Sequence, residues 1–291
     1  GTTADTRSRG GLLITNDGVS YSCFNCGFKA SWQPGRNLSH KMRKLMRWLG
    51  ASDSDIKRVA LDVLRENEGV ENNNPSFVLP EFHTVPLPDR AVNLAYAEIT
   101  EQAQIDVLEY MASRNLYFSD TDFYWSPDWH YKNRLIVPFK YDGRIVGWTA
   151  RKIGQGNPRY LSEQQPGYVF NLDAQTHDRQ FVVVCEGPFD ALQIGAIALT
   201  GSDIKDQQAY LINSLNRQVV LVPDRDHEGA KLVEQAIDHE WSVSMPEWHS
   251  DIKDISDAVQ RYGRIYTLYT IAQASQQSPL KIRLRSKKWF G

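Results

Sequence analysis

The sequence predicts an α/β protein built around a parallel sheet flanked by helices. Two short valine-rich runs carry this prediction: residues 181–185 (Phe-Val-Val-Val-Cys) and residues 218–222 (Gln-Val-Val-Leu-Val). Turn-forming residues bound each run and a segment with helical spacing follows it, a pattern typical of buried parallel strands. The chain has 291 residues, which leaves room for a sizeable core and for smaller domains beside this sheet.

Acidic residues follow both runs directly. Glu186 opens the segment Glu-Gly-Pro-Phe-Asp, which ends at Asp190, and Asp224 and Asp226 belong to Asp-Arg-Asp-His-Glu-Gly. Because the carboxyl ends of parallel strands meet at one edge of a sheet, we expect Glu186, Asp224 and Asp226 to lie close together. Gathered carboxylates repel one another unless a cation joins them, and hard oxygen ligands suit Mg²⁺ or Mn²⁺. The alternative is that each acid only caps the helix after its strand.

These two acidic segments, in this order, resemble the signature of the TOPRIM domain, which primases, topoisomerases and some nucleases and recombination proteins share. Residues 253–257 (Lys-Asp-Ile-Ser-Asp) resemble the third acidic motif of its primase branch. The resemblance implies that Glu186, Asp224 and Asp226 are catalytic. It also implies a set of Mg²⁺ or Mn²⁺ ligands, namely Glu186, Asp190, Asp224, Asp226, Asp254 and Asp257.

A basic segment lies upstream of the acidic motifs. Residues 133–139 and 144–152 alternate and are joined by Asp142-Gly143, which predicts a β-hairpin. Together with Asn-Pro-Arg-Tyr-Leu at 157–161, this segment resembles the basic motif of primase cores. The resemblance implies that nucleotides and DNA are bound by Arg134, Arg151, Lys152, Arg159 and Lys253. The alternative leaves the hairpin cations in solvent.

A predicted helix precedes the hairpin. It is expected to begin at a Thr100 cap and to run to Arg114. Residues 110–116 (Tyr-Met-Ala-Ser-Arg-Asn-Leu) resemble the segment that opens the catalytic core of bacterial primases, with Asn115 where the family prefers glycine. Asparagine tolerates the left-handed backbone that glycine would adopt there.

Cys23 and Cys26 form a Cys-x-x-Cys-Gly turn, typical of one half of a zinc ribbon. Three interpretations remain open: a ribbon truncated at its amino terminus, a site that recruits His40, or a redox pair. We favour the first, because the chain begins at Gly1 and its third cysteine, Cys185, lies inside a predicted strand. Zn²⁺ would then bind only if preceding ligands were restored.

The predicted domains follow from these motifs. Helical spacing of Leu38, Met42, Leu45 and Leu49 indicates a helical hairpin, and the asparagine- and proline-rich stretch that ends at Pro88 indicates a linker. At the end of the chain, residues 281–290 alternate basic and apolar side chains, as either a solvated tail or a docking segment. The predicted organisation is a partial zinc ribbon (1–36), a helical hairpin and linker (37–88), a smaller mixed α+β basic subdomain (89–180), a TOPRIM domain (181–262), and a C-terminal helix and basic tail (263–291).

Composition limits the classes of function. A net charge of −2 excludes a protein that is basic overall, so nucleic-acid binding would depend on local basic clusters. Three cysteines argue against a disulfide framework. The sequence contains neither an apolar run of membrane-spanning length nor an opening secretory signal, so we expect no membrane association and a cytoplasmic location, which is the host cytoplasm if the gene is a phage gene.

The chain as a whole resembles the primases of T-even-like tailed phages and, more distantly, the bacterial primase core. This resemblance implies synthesis of RNA primers from ribonucleoside triphosphates on single-stranded DNA, beside a replicative helicase in a primosome. Two rivals remain: a TOPRIM nuclease, and a non-catalytic recombination mediator that clamps DNA through a zinc finger and a TOPRIM domain. The mediator lacks the basic segment of residues 134–159.

Overall fold

The computed structural model describes residues 10–15, 18–24, 28–34, 38–68, 80–176 and 179–291. The chain divides into two compact units, Gly1–Val78 and Leu79–Gly291. None of the helices in these described ranges is both long and apolar enough to cross a membrane.

The first unit combines a small antiparallel sheet with two helices. The strands pair in the order β1 (Gly10–Thr15), β2 (Gly18–Cys23), β3 (Lys29–Trp32). The predicted helical hairpin is present as α1 (His40–Trp48) and α2 (Asp53–Glu68). The hydroxyl of Ser39 accepts the Met42 N–H at 3.2 Å and caps α1. Cys23 is buried at the end of β2, whereas Cys26 and the side chain of His40 lie outside the described residues, so the zinc ribbon stays a prediction.

The second unit begins with an antiparallel sheet. Its strands pair in the order β4 (Val92–Asn93), β5 (Tyr124–Trp125), β6 (Arg134–Tyr141), β7 (Arg144–Lys152), β8 (Tyr160–Glu163). The predicted hairpin is β6 and β7, and its two-residue turn has φ of 51° at Asp142 and 71° at Gly143, as a tight hairpin turn requires. Helix α3 (Gln102–Ser113) begins after Glu101, which is the N-cap instead of the predicted Thr100. The Gln104 side chain accepts the backbone N–H groups of both residues.

The predicted parallel sheet follows. Its strands pair in the order β10 (Ile197–Ala198), β9 (Phe181–Cys185), β11 (Gln218–Leu221), β12 (Ser242–Ser244), β13 (Ser275–Gln276), and β13 alone of these runs antiparallel to its neighbour. Helices accompany it as α4 (Pro188–Ile194), α5 (Asp206–Asn213), α6 (His227–Asp238), α7 (Ile255–Tyr262), α8 (Arg264–Ala274) and α9 (Pro279–Phe290). Val182, Val184 and Leu221 are fully buried, as expected for strands covered on both faces.

Two predicted boundaries differ from the structure. Residues 80–88, assigned to a linker, pack on the second unit: Phe82 and Val85 are buried, and the Val85 N–H donates to the Ile145 carbonyl at 2.9 Å. Residues beyond 262 are not a separate tail, because β13 extends the parallel sheet and α9 buries Ile282 and Trp289. Neither contact was predicted, because the few apolar residues in these two segments stand among prolines or basic residues and form no regular pattern.

Candidate functional site

The acidic site forms where two neighbouring parallel strands end. Glu186 directly follows β9, and Asp224 follows the adjacent β11. The Asp224 N–H points to the Glu186 carboxylate at 3.4 Å. Gly229 is the last residue of the second acidic motif. A Cβ at this position would lie 2.1 Å from the Asp224 carbonyl oxygen, so only glycine lets α6 pack against this loop.

Three carboxylates converge at this edge. Oxygens of Glu186, Asp226 and Glu228 all lie within 4.8 Å of one another, so Glu228 takes the place in this group that was expected for Asp224. Asp226 also caps α6, where its Oδ1 accepts the N–H groups of Glu228 and Gly229 at 3.0 and 2.9 Å. Helix capping and membership of the cluster are therefore combined in one residue. Glu228 was not among the predicted ligands, although its position in the first turn of α6, two residues after Asp226, is one at which an acidic side chain can reach the same edge.

A deeper acidic group lies behind this edge. The Asp190 carboxylate is buried and accepts the Ser256 N–H at 2.9 Å. Asp254 caps α7 by accepting the Asp257 N–H at 2.8 Å. The Asp257 carboxylate accepts the Lys253 N–H at 3.1 Å. Asp190 and Asp254 line the cleft described below, whereas Asp226 and Asp257 do not.

Burial and mutual repulsion raise the pKa values of these acids. Burial, followed by the charge of Asp226, raises the pKa of Glu186 to about 7. Burial, followed by Asp190 and Glu186, raises the pKa of Asp224 to about 9. Burial, followed by Asp190, raises the pKa of Asp254 to about 6, and burial also raises the pKa of Asp190. A divalent cation would relieve this repulsion, and clustered carboxylate oxygens are the donors that Mg²⁺ and Mn²⁺ prefer.

A cleft of about 680 Å³ separates the acidic edge from strands β7 and β8. Its lining combines carboxylates, arginines, hydroxyls and aromatic rings. The lining residues are Arg114, Phe139, Thr149, Arg151, Arg159, Tyr160, Ser162, Gln164, Glu186, Gly187, Pro188, Phe189, Asp190, Thr200, Gly201, Ser202, Asp224, Glu228, Asp254 and Ser256.

Of the predicted basic residues, Arg151 and Arg159 line this cleft. Arg151 is buried, and its guanidinium carbon lies 5.0 Å from the Phe189 ring and 5.2 Å from the Tyr160 ring. Its Nη1 donates to the Tyr160 hydroxyl. The aromatic rings therefore fix the Arg151 guanidinium, whereas Arg159 is exposed at the rim.

Arg114 is a third arginine in the lining, and the predicted binding set omitted it. Its positive charge partly offsets the burial that raises the pKa of Asp190 and of Asp254. The next residue, Asn115, has φ of 52°, which is the left-handed backbone expected from the sequence. The signal for Arg114 was its place in the segment that opens the core.

Arg134 does not project into the cleft, contrary to expectation. It is buried, and its guanidinium donates to the carbonyls of His130 at 3.0 Å, Ala150 at 3.1 Å, Pro158 at 2.8 Å and Arg159 at 3.3 Å. Arg134 thus holds the loop that carries Arg159. Lys152 and Lys253 are also absent from the lining.

Comparison with known proteins agrees with this architecture. A family described as Toprim-like matches residues 183–259. The DNA primase of Thermotoga maritima is 28% identical over 46% of this chain and 27% of its own length. The DNA primase of Synechococcus elongatus is 31% identical over 37% of this chain and 18% of its own length. The matches thus span about a quarter or less of these relatives.

Solved structures show the same fold. The DnaG primase catalytic domain bound to single-stranded DNA has a TM-score of 0.53 at 16% identity, covering 65% of this chain and 78% of that one. The E. coli primase catalytic core has a TM-score of 0.52 at 16% identity, covering 64% and 78%. The chain therefore contains a Toprim-like domain, is similar in sequence to bacterial DNA primases over part of its length, and shares the fold of the DnaG catalytic core.

Proposed function

We propose that this chain synthesises RNA primers on a single-stranded DNA template by metal-dependent nucleotidyl transfer. The observation that carries the proposal is the cleft itself, where a carboxylate edge faces Arg114, Arg151 and Arg159. Joining nucleotides needs anionic ligands for a cation and cationic side chains for a triphosphate within reach of one substrate. The Toprim-like match and the primase relatives support the same reaction.

The carboxylates would hold the cation. We assign Glu186, Asp224 and Asp226 as catalytic, with Glu228 beside them. Asp190, Asp254 and Asp257 extend the acidic set. When bound, Mg²⁺ or Mn²⁺ supplies Lewis-acid stabilisation of the attacking 3′ oxygen and of the departing pyrophosphate. The 3′ oxygen forms a bond to the α-phosphorus as the bond from that phosphorus to pyrophosphate breaks.

The arginines would bind and orient the substrate. Arg159 is exposed at the rim of the cleft, and its guanidinium is suited to a forked contact with phosphate oxygens. Arg151, fixed between aromatic rings, would offer a preorganised charge deeper in the cleft. Arg114 lies near enough to the carboxylates to limit their repulsion of an incoming triphosphate. Lys152 and Lys253 remain candidates for contacts with the DNA backbone outside the cleft.

The finer assignments belong to the same proposal. Single-stranded DNA as template is supported by the relative whose catalytic domain was solved with it. Ribonucleoside triphosphates as substrates, a replicative helicase as partner in a primosome, and a phage origin rest on the sequence resemblance. Zn²⁺ would bind through Cys23 and Cys26 only together with further ligands.

A ribonucleotide incorporation assay tests the proposal. With single-stranded DNA, labelled ribonucleotides and Mg²⁺, the chain should make short labelled oligoribonucleotides. Asp224→Ala should lower the rate about 100-fold, because it removes a carboxylate from the metal set. Glu109→Gln, a matched loss of one acidic charge on the exposed face of α3, should leave the rate unchanged.

The same assay separates the rival functions. A cut template without labelled product would identify a nuclease. Retention of DNA with neither product nor cleavage would identify a clamping mediator. Equal activity in Asp224→Ala and in Glu109→Gln would refute the assigned centre.

A further inference from the structure

Arg225 occupies the middle of the Asp-x-Asp motif and points away from the carboxylates. Its Nη1 donates to the His249 carbonyl at 2.8 Å, and its Nη2 donates to the Trp248 carbonyl at 3.0 Å. Its backbone N–H donates to the Lys253 carbonyl at 2.9 Å. One residue therefore ties the loop bearing Asp224 to residues 248–253, the segment that leads directly into Asp254.

The last helix holds the Arg225 guanidinium from its other side. The guanidinium carbon lies 4.0 Å from the centre of the Trp289 ring, in the final turn of α9. Trp289 is 7% exposed and packs against Trp248, with ring centres 5.8 Å apart. Beside it, Lys288 pairs with Glu247 at 2.9 Å. The last turn of α9 thus contacts both Arg225 and the segment around Trp248 that Arg225 binds.

This arrangement has a mechanical consequence for the acidic site. Asp224 and Asp226 lie on one loop and Asp254 on another, and like charges on these carboxylates, when they are ionised, push the two loops apart. Clamping from the far side resists that separation without placing a positive charge among the ligands. A planar guanidinium suits this task because it can stack on a ring and donate to two carbonyls at once, which an ammonium cannot.

We propose that Arg225, stacked on Trp289, is a positioning residue that fixes the loop of Asp224 and Asp226 against the segment before Asp254, so that α9 sets the geometry of the cation site. The inference rests on the proposed metal dependence. It does not require that the reaction be primer synthesis.

Binding of Mn²⁺ in the absence of nucleotide and DNA tests the inference, measured on the full chain by electron paramagnetic resonance. Arg225→Met keeps the length of the side chain but removes the charge and donors, and should weaken Mn²⁺ binding about tenfold, as loss of a ligand-supporting contact typically does. Trp289→Leu should weaken it about threefold, because a cation–π contact contributes modestly. Trp289→Phe keeps a ring and should stay close to the unchanged protein.

Arg285→Met is the matched control. Arg285 also lies on α9 and donates to a backbone carbonyl, that of Ala274 at 2.7 Å, but it does not contact the acidic loops. It should leave Mn²⁺ affinity unchanged. Thermal unfolding of each variant without metal separates weaker binding from general loss of stability.

Unchanged Mn²⁺ affinity in both Arg225→Met and Trp289→Leu would overturn the inference, whatever their thermal stability. If Arg225→Met does not fold, the contrast between Trp289→Leu and Trp289→Phe decides in the same way. Failure of the unchanged protein to bind Mn²⁺ would overturn the inference together with the metal centre. Mn²⁺ binding that weakens as expected in a chain that makes no primers would support the inference while refuting the proposed reaction.

Discussion

The two walls of the cleft are built in different ways. On the acidic wall, each carboxylate follows the end of a parallel strand or begins a helix, and backbone N–H groups orient Asp226, Asp190 and Asp254. On the basic wall, Arg151 lies on a strand of an antiparallel hairpin, Arg159 lies on the loop after it, and Arg114 lies at the end of α3. There Arg159 faces the cleft while Arg134 is buried against carbonyls.

Strand ends and sheet faces therefore differ in how strictly they set the direction of a side chain. At the end of a parallel strand, topology alone directs a residue to the common edge. Within a hairpin, the same charge can serve the substrate or the backbone, according to which carbonyls a neighbouring loop leaves without partners. The carboxylates of the acidic wall are thus arranged as a cation site would need. On the basic wall, Arg159 faces the cleft whereas Arg134 stabilises the backbone.

The largest expected effect concerns the acidic wall. In a chelator, the free energy of unfolding should fall as the pH rises from about 5 to 9, by on the order of 1 kcal/mol per pH unit. The folded state raises the pKa of Glu186, Asp224 and Asp254 above the unfolded values, so it binds these protons more tightly. The resulting stabilisation is present below the unfolded pKa and is lost as the pH rises through the folded pKa. Urea unfolding at several pH values measures it.

Asp224→Asn is the control for this pH dependence. The amide cannot ionise, so the slope should flatten between pH 5 and 9, and excess Mg²⁺ should flatten it in the unchanged protein. A stability that rises with pH in the presence of chelator would contradict the assigned repulsion.

The next effect concerns the structural arginine. Arg134→Met should lower the free energy of unfolding by about 3 kcal/mol, because it leaves the buried Ala150 carbonyl and three partly buried carbonyls without this donor. Urea unfolding measures the change, with Arg144→Met, an exposed arginine at the start of β7, as the matched control. Equal stabilities of the two variants would remove the distinction between Arg134 and the cations of the cleft.

The smallest expected effect concerns Arg159, the exposed arginine at the rim of the cleft. Arg159→Met should raise KM for ribonucleoside triphosphates about tenfold, or ~1.4 kcal/mol, with stability unchanged, since the side chain is exposed and its proposed role is to bind the substrate. Arg159→Lys should recover part of the loss, because it keeps charge without the planar fork. An effect on stability rather than on KM would assign Arg159 to the scaffold.

The parallel α/β sheet, the hairpin at Asp142-Gly143 and the acidic edge could all be predicted from the amino-acid sequence. Buried strands, tight turns and strand-end motifs depend on neighbours within a few residues, so local chemistry specifies them. The left-handed Asn115 was readable for the same reason.

The charged residues that face the cleft could be identified only from the three-dimensional packing of the chain. Contacts between segments distant in the chain place Arg114 in the cleft lining and keep Arg134 out of it. Such contacts also bring Glu228 beside Glu186 and pack Trp289 on Arg225. Long-range packing and the need to satisfy buried carbonyls govern such contacts, and neither leaves a periodic pattern in the sequence.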